Sequence, residues 1–127
     1  MPPTAVLVID DLEGVRESLA EVLRFHGYQV LAAGNVPEAE AVRDRLGLEG
    51  LELVITNLRL TRRAEDRQGA DLIERWHSLA PRLPFILLSS DLRPHDVPDV
   101  PGGVVWSLAK PFTMDVFMAT VQEALSR

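Results

Sequence analysis

The 127 residues suffice for one hydrophobic core and are too few for two. Nineteen acidic residues against thirteen basic ones leave a net charge of −6, which argues against direct nucleic-acid binding, because phosphate contacts need a basic surface. The absence of cysteine excludes disulfides and thiolate chemistry. No apolar stretch approaches the roughly 20 residues of a membrane helix, and the opening "MPPTAVLVIDD" lacks the positive region and cleavage site of a secretion signal. One cytoplasmic domain spanning 1–127, with no membrane or nucleic-acid partner, is the expectation.

In chain order, "TAVLVI" (4–9) is a mostly branched apolar run that stops at two aspartates, the pattern of a strand buried on both faces. Residues 13–26 place Val15, Leu19, Val22 and Leu23 at helical spacing before Gly27. A second strand follows at 28–33. Asn35 is positioned to cap a helix with Pro37 in its first turn and Glu38 three residues on, and Ala39, Val42 and Leu46 form its apolar stripe. "LELVIT" (51–56) is the third strand. A polar segment then runs to Gly69, ahead of a helix at about 70–79 with Leu72, Ile73, Trp76 and Leu79 inward.

The fourth and fifth strands are 84–89 and 103–109. Between them Pro94, Pro98 and Pro101 delete donors and disfavour helical backbone, so any helix there is short or irregular. A last helix at about 113–126 has Thr113 as its cap. Val116, Phe117, Val121 and Leu125 point inward, with Met114 and Met118 at the edge of the packing face. Strands alternating with helices make a parallel α/β sheet with helices on both faces. Ligands of such sheets bind beyond the carboxyl ends of the strands.

Polar residues gather at those ends: Asp10 and Asp11 after the first strand, Asn57 after the third, Ser89 and Ser90 after the fourth, Lys110 and Pro111 after the fifth. Each alone reads as a solvated or self-satisfied turn residue. Together they offer hard oxygen ligands suited to Mg²⁺, with a hydroxyl and an ammonium that can hold phosphoryl oxygens. His26, His77 and His95 share no metal-ligand spacing and read as surface residues. Trp76 reads as core, and Trp106 as either core or a partner contact.

The segments "VLVIDDLEGVRESLAEVLRFHGYQV", "LELVITNLRL", "PFILLSS" and "KPFTMDVFMATVQEAL" resemble, in order and spacing, the receiver domain of two-component response regulators, the CheY-like superfamily. That resemblance implies a five-stranded parallel sheet of order 2-1-3-4-5 of flavodoxin-like type. It implies Asp10, Asp11 and the Arg59 backbone carbonyl as Mg²⁺ ligands, and Ser89 and Lys110 as the hydroxyl and lysine that meet a bound phosphoryl group. It further implies a sensor histidine kinase or other signalling protein as partner, an effector domain beyond the C-terminus, and homodimerisation around the fourth and fifth strands.

The chain departs from the family where its chemistry begins. Asn57 stands where the family carries the aspartate that accepts the phosphoryl group. An amide oxygen lacks the charge of a carboxylate nucleophile, so phosphorylation at 57 is not expected and Mg²⁺ binding is weakened. Ser107 stands where the family usually has a switch aromatic, and the loop after Asn57 is long, with arginines at 59, 62, 63 and 67. These departures favour an atypical receiver acting as a protein-interaction or regulatory module, not an enzyme. A conventional regulator carrying an engineered Asp-to-Asn block at 57 is the alternative, with a small metal-dependent phosphatase-like hydrolase as the weaker one.

Overall fold

The computed structural model describes residues 4–126; the remaining positions, including the first three residues of the stretch read for a targeting signal, lie outside the described residues. Five strands, β1 (Ala5–Ile9), β2 (Val30–Ala33), β3 (Leu51–Asn57), β4 (Phe85–Ser89) and β5 (Val105–Ala109), form one parallel sheet. Its order is β2-β1-β3-β4-β5. Four α-helices connect or flank the strands: α1 (Glu13–Phe25), α2 (Val36–Leu46), α3 (Gln68–Leu79) and α4 (Met114–Leu125).

Alternation along the strands divides the core into two layers. Leu7, Ile9, Val54, Phe85 and Leu87 face Ala39 and Val42 of α2 and Leu72, Ile73 and Trp76 of α3. Val6, Val8, Leu53, Ile55, Ile86 and Leu88 face Leu19 and Leu23 of α1 and Phe117, Met118 and Val121 of α4. A register shift between Ala5 and Val6 leaves Glu52 unpaired in the β1–β3 ladder, so Leu51 and Val54 both belong to the first layer. Both faces of the sheet are thus covered, which is why its strands read as nearly continuous apolar runs.

The caps at Asn35 and Thr113 form as expected. The Glu38 N–H donates to Asn35 Oδ1 at 2.9 Å, and the Val116 N–H to Thr113 Oγ1 at 3.1 Å. Glu38 reaches back one residue beyond the cap, accepting from the Gly34 N–H at 2.7 Å. Between β4 and β5 the prolines leave one three-residue 3-10 turn, Pro94–Asp96, in place of a helix.

Three expectations are corrected. Val116 is exposed while Met118 is buried, because the stripe of α4 runs through Phe117, Met118, Val121 and Ala124. A helical residue advances about 100°, so reading the stripe one position early swaps an inward side chain for an outward one. Leu79 is also exposed, and the partly buried Ala80 continues the packing of α3 in its place. His77 is buried on α3 rather than placed at the surface. No described helix is long and apolar enough to cross a membrane.

Candidate functional site

The chain leaves β1 toward β2 and returns through β3 on β1's other side, so the segments after β1 and β3 diverge and open a crevice at the strand ends. Ladder hydrogen bonds run into this crevice and fix its backbone. The Asp10 N–H donates to Ala33 O at 3.1 Å, Leu58 N–H to Leu88 O at 2.7 Å, and Lys110 N–H to Ser89 O at 2.9 Å. Sheet pairing thereby brings Asp10, Asn57, Ser89 and Lys110 to one end of the molecule.

Asp10 is fully buried. One carboxylate oxygen accepts the Leu12 N–H at 3.0 Å, and the other pairs with the Lys110 ammonium at 3.4 Å. Lys110 spans the sheet edge to reach it, a contact between residues 100 positions apart. A buried charge without such partners would be strongly disfavoured. Asp11 lies beside this pair, partly exposed. Burial raises its pKa above the ordinary aspartate value, and the neighbouring Asp10 charge adds to the shift, against opposing effects of its own backbone and Lys110.

Asn57 ends β3 next to Asp10. Its Nδ2 donates to the Arg59 carbonyl at 2.6 Å, and its Oδ1 is buried without a hydrogen-bond partner. The orientation follows from chemistry: only the NH₂ end of an amide can face a carbonyl oxygen. Gly69, at the start of α3, packs so closely that a Cβ there would stand 2.1 Å from the Asn57 carbonyl. Its N–H donates to Leu58 O at 2.9 Å, which joins α3 to the end of β3 through backbone alone.

Ser89 is buried and its hydroxyl accepts two hydrogen bonds. One comes from the Asp91 N–H at 3.1 Å and the other from Arg59 Nη1 at 3.3 Å. The segment 58–67 places that arginine. Asp66 organises it, accepting from the Leu60 N–H, the Thr61 hydroxyl and the Gln68 N–H. Arg59 Nε then donates to Ala64 O at 2.8 Å, and its Nη2 lies 3.9 Å from Asp91. The family resemblance implies only the carbonyl of Arg59 at the site, and the loop arginines are noted in the sequence without an assigned contact. The inward guanidinium is the feature that reading misses, as it misses Asp91. Ser90 and Ser107 are exposed, and the Lys110–Pro111 peptide is cis.

A divalent cation would need oxygens that are largely engaged. The Asp10 carboxylate is bonded at both oxygens, and the Arg59 carbonyl accepts the Asn57 amide. Among the described residues no three His, Cys, Asp or Glu side chains are grouped to hold a metal. Among the buried side-chain atoms of these residues, Asn57 Oδ1 is the acceptor left without a donor, and alone it does not make a six-oxygen site.

The family model for the response regulator receiver domain matches residues 6–122. The chain belongs to that family. Similar proteins include the response regulator MprA of Mycobacterium leprae, 30% identical over 125 residues that cover 96% of this receiver and 51% of MprA. The MprA of Mycolicibacterium vanbaalenii is 29% identical over 126 residues, covering 98% and 52%. The receiver thus spans about half the length of the curated relatives it matches. Among solved structures, the Brucella abortus NtrX receiver domain superposes with a TM-score of 0.77 at 21% identity, over 95% of this receiver and 98% of that chain. The chemotaxis protein CheY4 of Vibrio cholerae gives 0.75 at 21%, over 98% and 100%. These structures share the fold, and the family match makes this a two-component signalling module.

Proposed function

We propose that this receiver is atypical: it is not phosphorylated at position 57 and acts as a protein-interaction or regulatory module. The observation that carries the reading is the amide of Asn57 at the end of β3, tied by its NH₂ group to the Arg59 carbonyl. Forming an acyl phosphate requires a carboxylate oxygen as nucleophile, and an uncharged amide does not supply one. In this reading Asn57 occupies the phosphoacceptor position, and Ser89 and Lys110 occupy the positions that would meet a phosphoryl group. Ser107 replaces the switch aromatic.

Receivers commonly bind Mg²⁺ at their phosphorylation site, where the ion offsets the crowded negative charge. Asp10, Asp11 and the Arg59 carbonyl are the residues that would hold it here. They do not fit such an ion as arranged, since Lys110 and the Asn57 amide already engage two of the three. Weak Mg²⁺ binding, if Asp10 exchanges Lys110 for the ion, is the extent of the cofactor role in this reading.

Response regulators work with histidine kinases and often carry effector domains. We assign this receiver a sensor kinase or another signalling protein as partner. The coverage of about half of each relative supports an effector region beyond residue 127, with any DNA contact made there rather than by this acidic unit. A cytoplasmic location accords with these partners.

The second reading, a conventional phosphorylation-controlled regulator blocked by an Asp-to-Asn change, draws on the assembled Asp10, Ser89 and Lys110. The test separates them. Incubation with a small phosphodonor and Mg²⁺ leaves the native chain without a phosphoryl adduct in either reading. Asn57→Asp regains one, together with a changed oligomeric state or partner affinity, only if the rest of the relay is conventional. A stoichiometric, labile adduct on the native chain would overturn both.

A further inference from the structure

Arg59 sends its guanidinium back over the crevice instead of into solvent, and all three of its nitrogens are directed at protein groups. Nε donates to Ala64 O at 2.8 Å, Nη1 to Ser89 Oγ at 3.3 Å, and Nη2 faces Asp91 at 3.9 Å. The side chain is 20% exposed, so these contacts are more shielded than a surface pair. Ala64 belongs to the segment after β3, whereas Ser89 ends β4 and Asp91 lies in the loop beyond it. One planar fork therefore spans two segments that the backbone ladders do not join beyond Leu58 and Leu88.

Residue 57 makes this arrangement favourable. A carboxylate at that position, two residues from Arg59, would compete for the guanidinium as a charge-assisted partner. A neutral amide does not, and the guanidinium keeps the Ala64 carbonyl, the Ser89 hydroxyl and, at 3.9 Å, the Asp91 carboxylate, whose Oδ2 Arg93 also holds at 3.2 Å. Ser89 Oγ, already accepting the Asp91 N–H, accepts the arginine with its second lone pair and is held on both sides.

We infer that Arg59 is a positioning residue that latches Ser89 and the segment to Asp91 onto the β3–α3 loop, so that the switch hydroxyl is held by an internal cation instead of by a phosphoryl group. This rests on the reading of position 57 as non-phosphorylated. The test does not use a phosphodonor, so the failure of one is distinguishable from the failure of the other. The latch makes the two loops move as one body, and a partner docking on either is felt at the other.

The experiment compares the native chain with Arg59→Ala, Arg59→Lys and, as a control in the same loop, Arg63→Ala. The Arg63 side chain pairs with Glu65 at 3.0 Å, within the same loop. Amide exchange and the Ser89 Cβ shift are followed by NMR. Arg59→Ala should speed exchange at the Asp91 amide about tenfold, the loss of one charge-assisted hydrogen bond. It should also shift Ser89 Cβ while leaving Val6 and Val8, deep in the sheet, at native protection. Arg59→Lys should restore part of this, because an ammonium reaches one acceptor but lacks the fork; Arg63→Ala should change nothing at Asp91. Unchanged exchange at Asp91 in Arg59→Ala, or a loss of protection spread evenly over Val6, Val8 and Asp91, would overturn the latch.

Discussion

Asn57 donates its side-chain amide to the carbonyl of Arg59, two residues ahead, and leaves its own oxygen buried without a partner. In the proposed reading, the amide thereby fills with an N–H the direction in which the Arg59 carbonyl would face a metal. Converting it to a carboxylate sets two acceptors against each other at this distance. Asn57→Asp should therefore lose about 2 kcal/mol of stability in metal-free buffer, the cost of a buried hydrogen bond replaced by repulsion. Mg²⁺ should recover much of that loss in the variant and leave the native melting temperature unchanged. Urea denaturation with and without MgCl₂, alongside thermal melts, measures both.

Asp11 carries a pKa raised by burial and by the charge of Asp10. A carboxyl whose folded pKa exceeds its unfolded value holds its proton longer in the folded chain. Stability therefore falls as pH rises through that window, and the penalty is fully present above it. Asp11→Asn should raise the melting temperature at neutral pH, with the gain fading as pH drops through the aspartate range. A gain that grows on acidification would contradict this assignment.

Lys110 is the cation that accompanies the buried Asp10 carboxylate. Lys110→Met keeps the aliphatic stem and removes the charge, leaving the Asp10 carboxylate the Leu12 N–H but no cation. Breaking one side of a buried pair costs about 3 kcal/mol, and Asp10→Asn in the same background should return part of it. A double-mutant cycle in denaturant reads the coupling.

Gly69 matters for space. Any Cβ there meets the Asn57 carbonyl at a distance no real contact shows, and the obstacle is backbone. Gly69→Ala should cost about 3 kcal/mol as overpacking that only a backbone shift relieves. It should also displace the amide signals of Asn57 and Leu58 before those of β1.

The strands were legible because strands covered on both faces must be largely apolar, as "TAVLVI", "LELVIT" and "PFILLS" are, whereas their order followed from the family resemblance. The strand-end residues were legible for a related reason, since polar groups directly after such runs have one crevice to enter. Helix faces were read less well. Val116 and Met118 differ by two positions, and both are apolar, so composition does not say which turns inward. His77 next to Trp76 shares a helix face that tertiary packing, not residue type, decides. The Arg59 guanidinium was invisible to local pattern: its acceptors, Ala64 and Ser89, lie 5 and 30 residues away. The partnerless Asn57 oxygen likewise depends on which end of the amide faces Arg59.

The proposed function rests on Asn57 not accepting a phosphoryl group. Its most direct measurement is the intact mass of the native chain and of Asn57→Asp, after parallel incubation with a small phosphodonor and MgCl₂ and rapid acid quench. The native chain should keep its unmodified mass throughout. A stoichiometric, base-labile phosphoryl adduct on the native chain would contradict it.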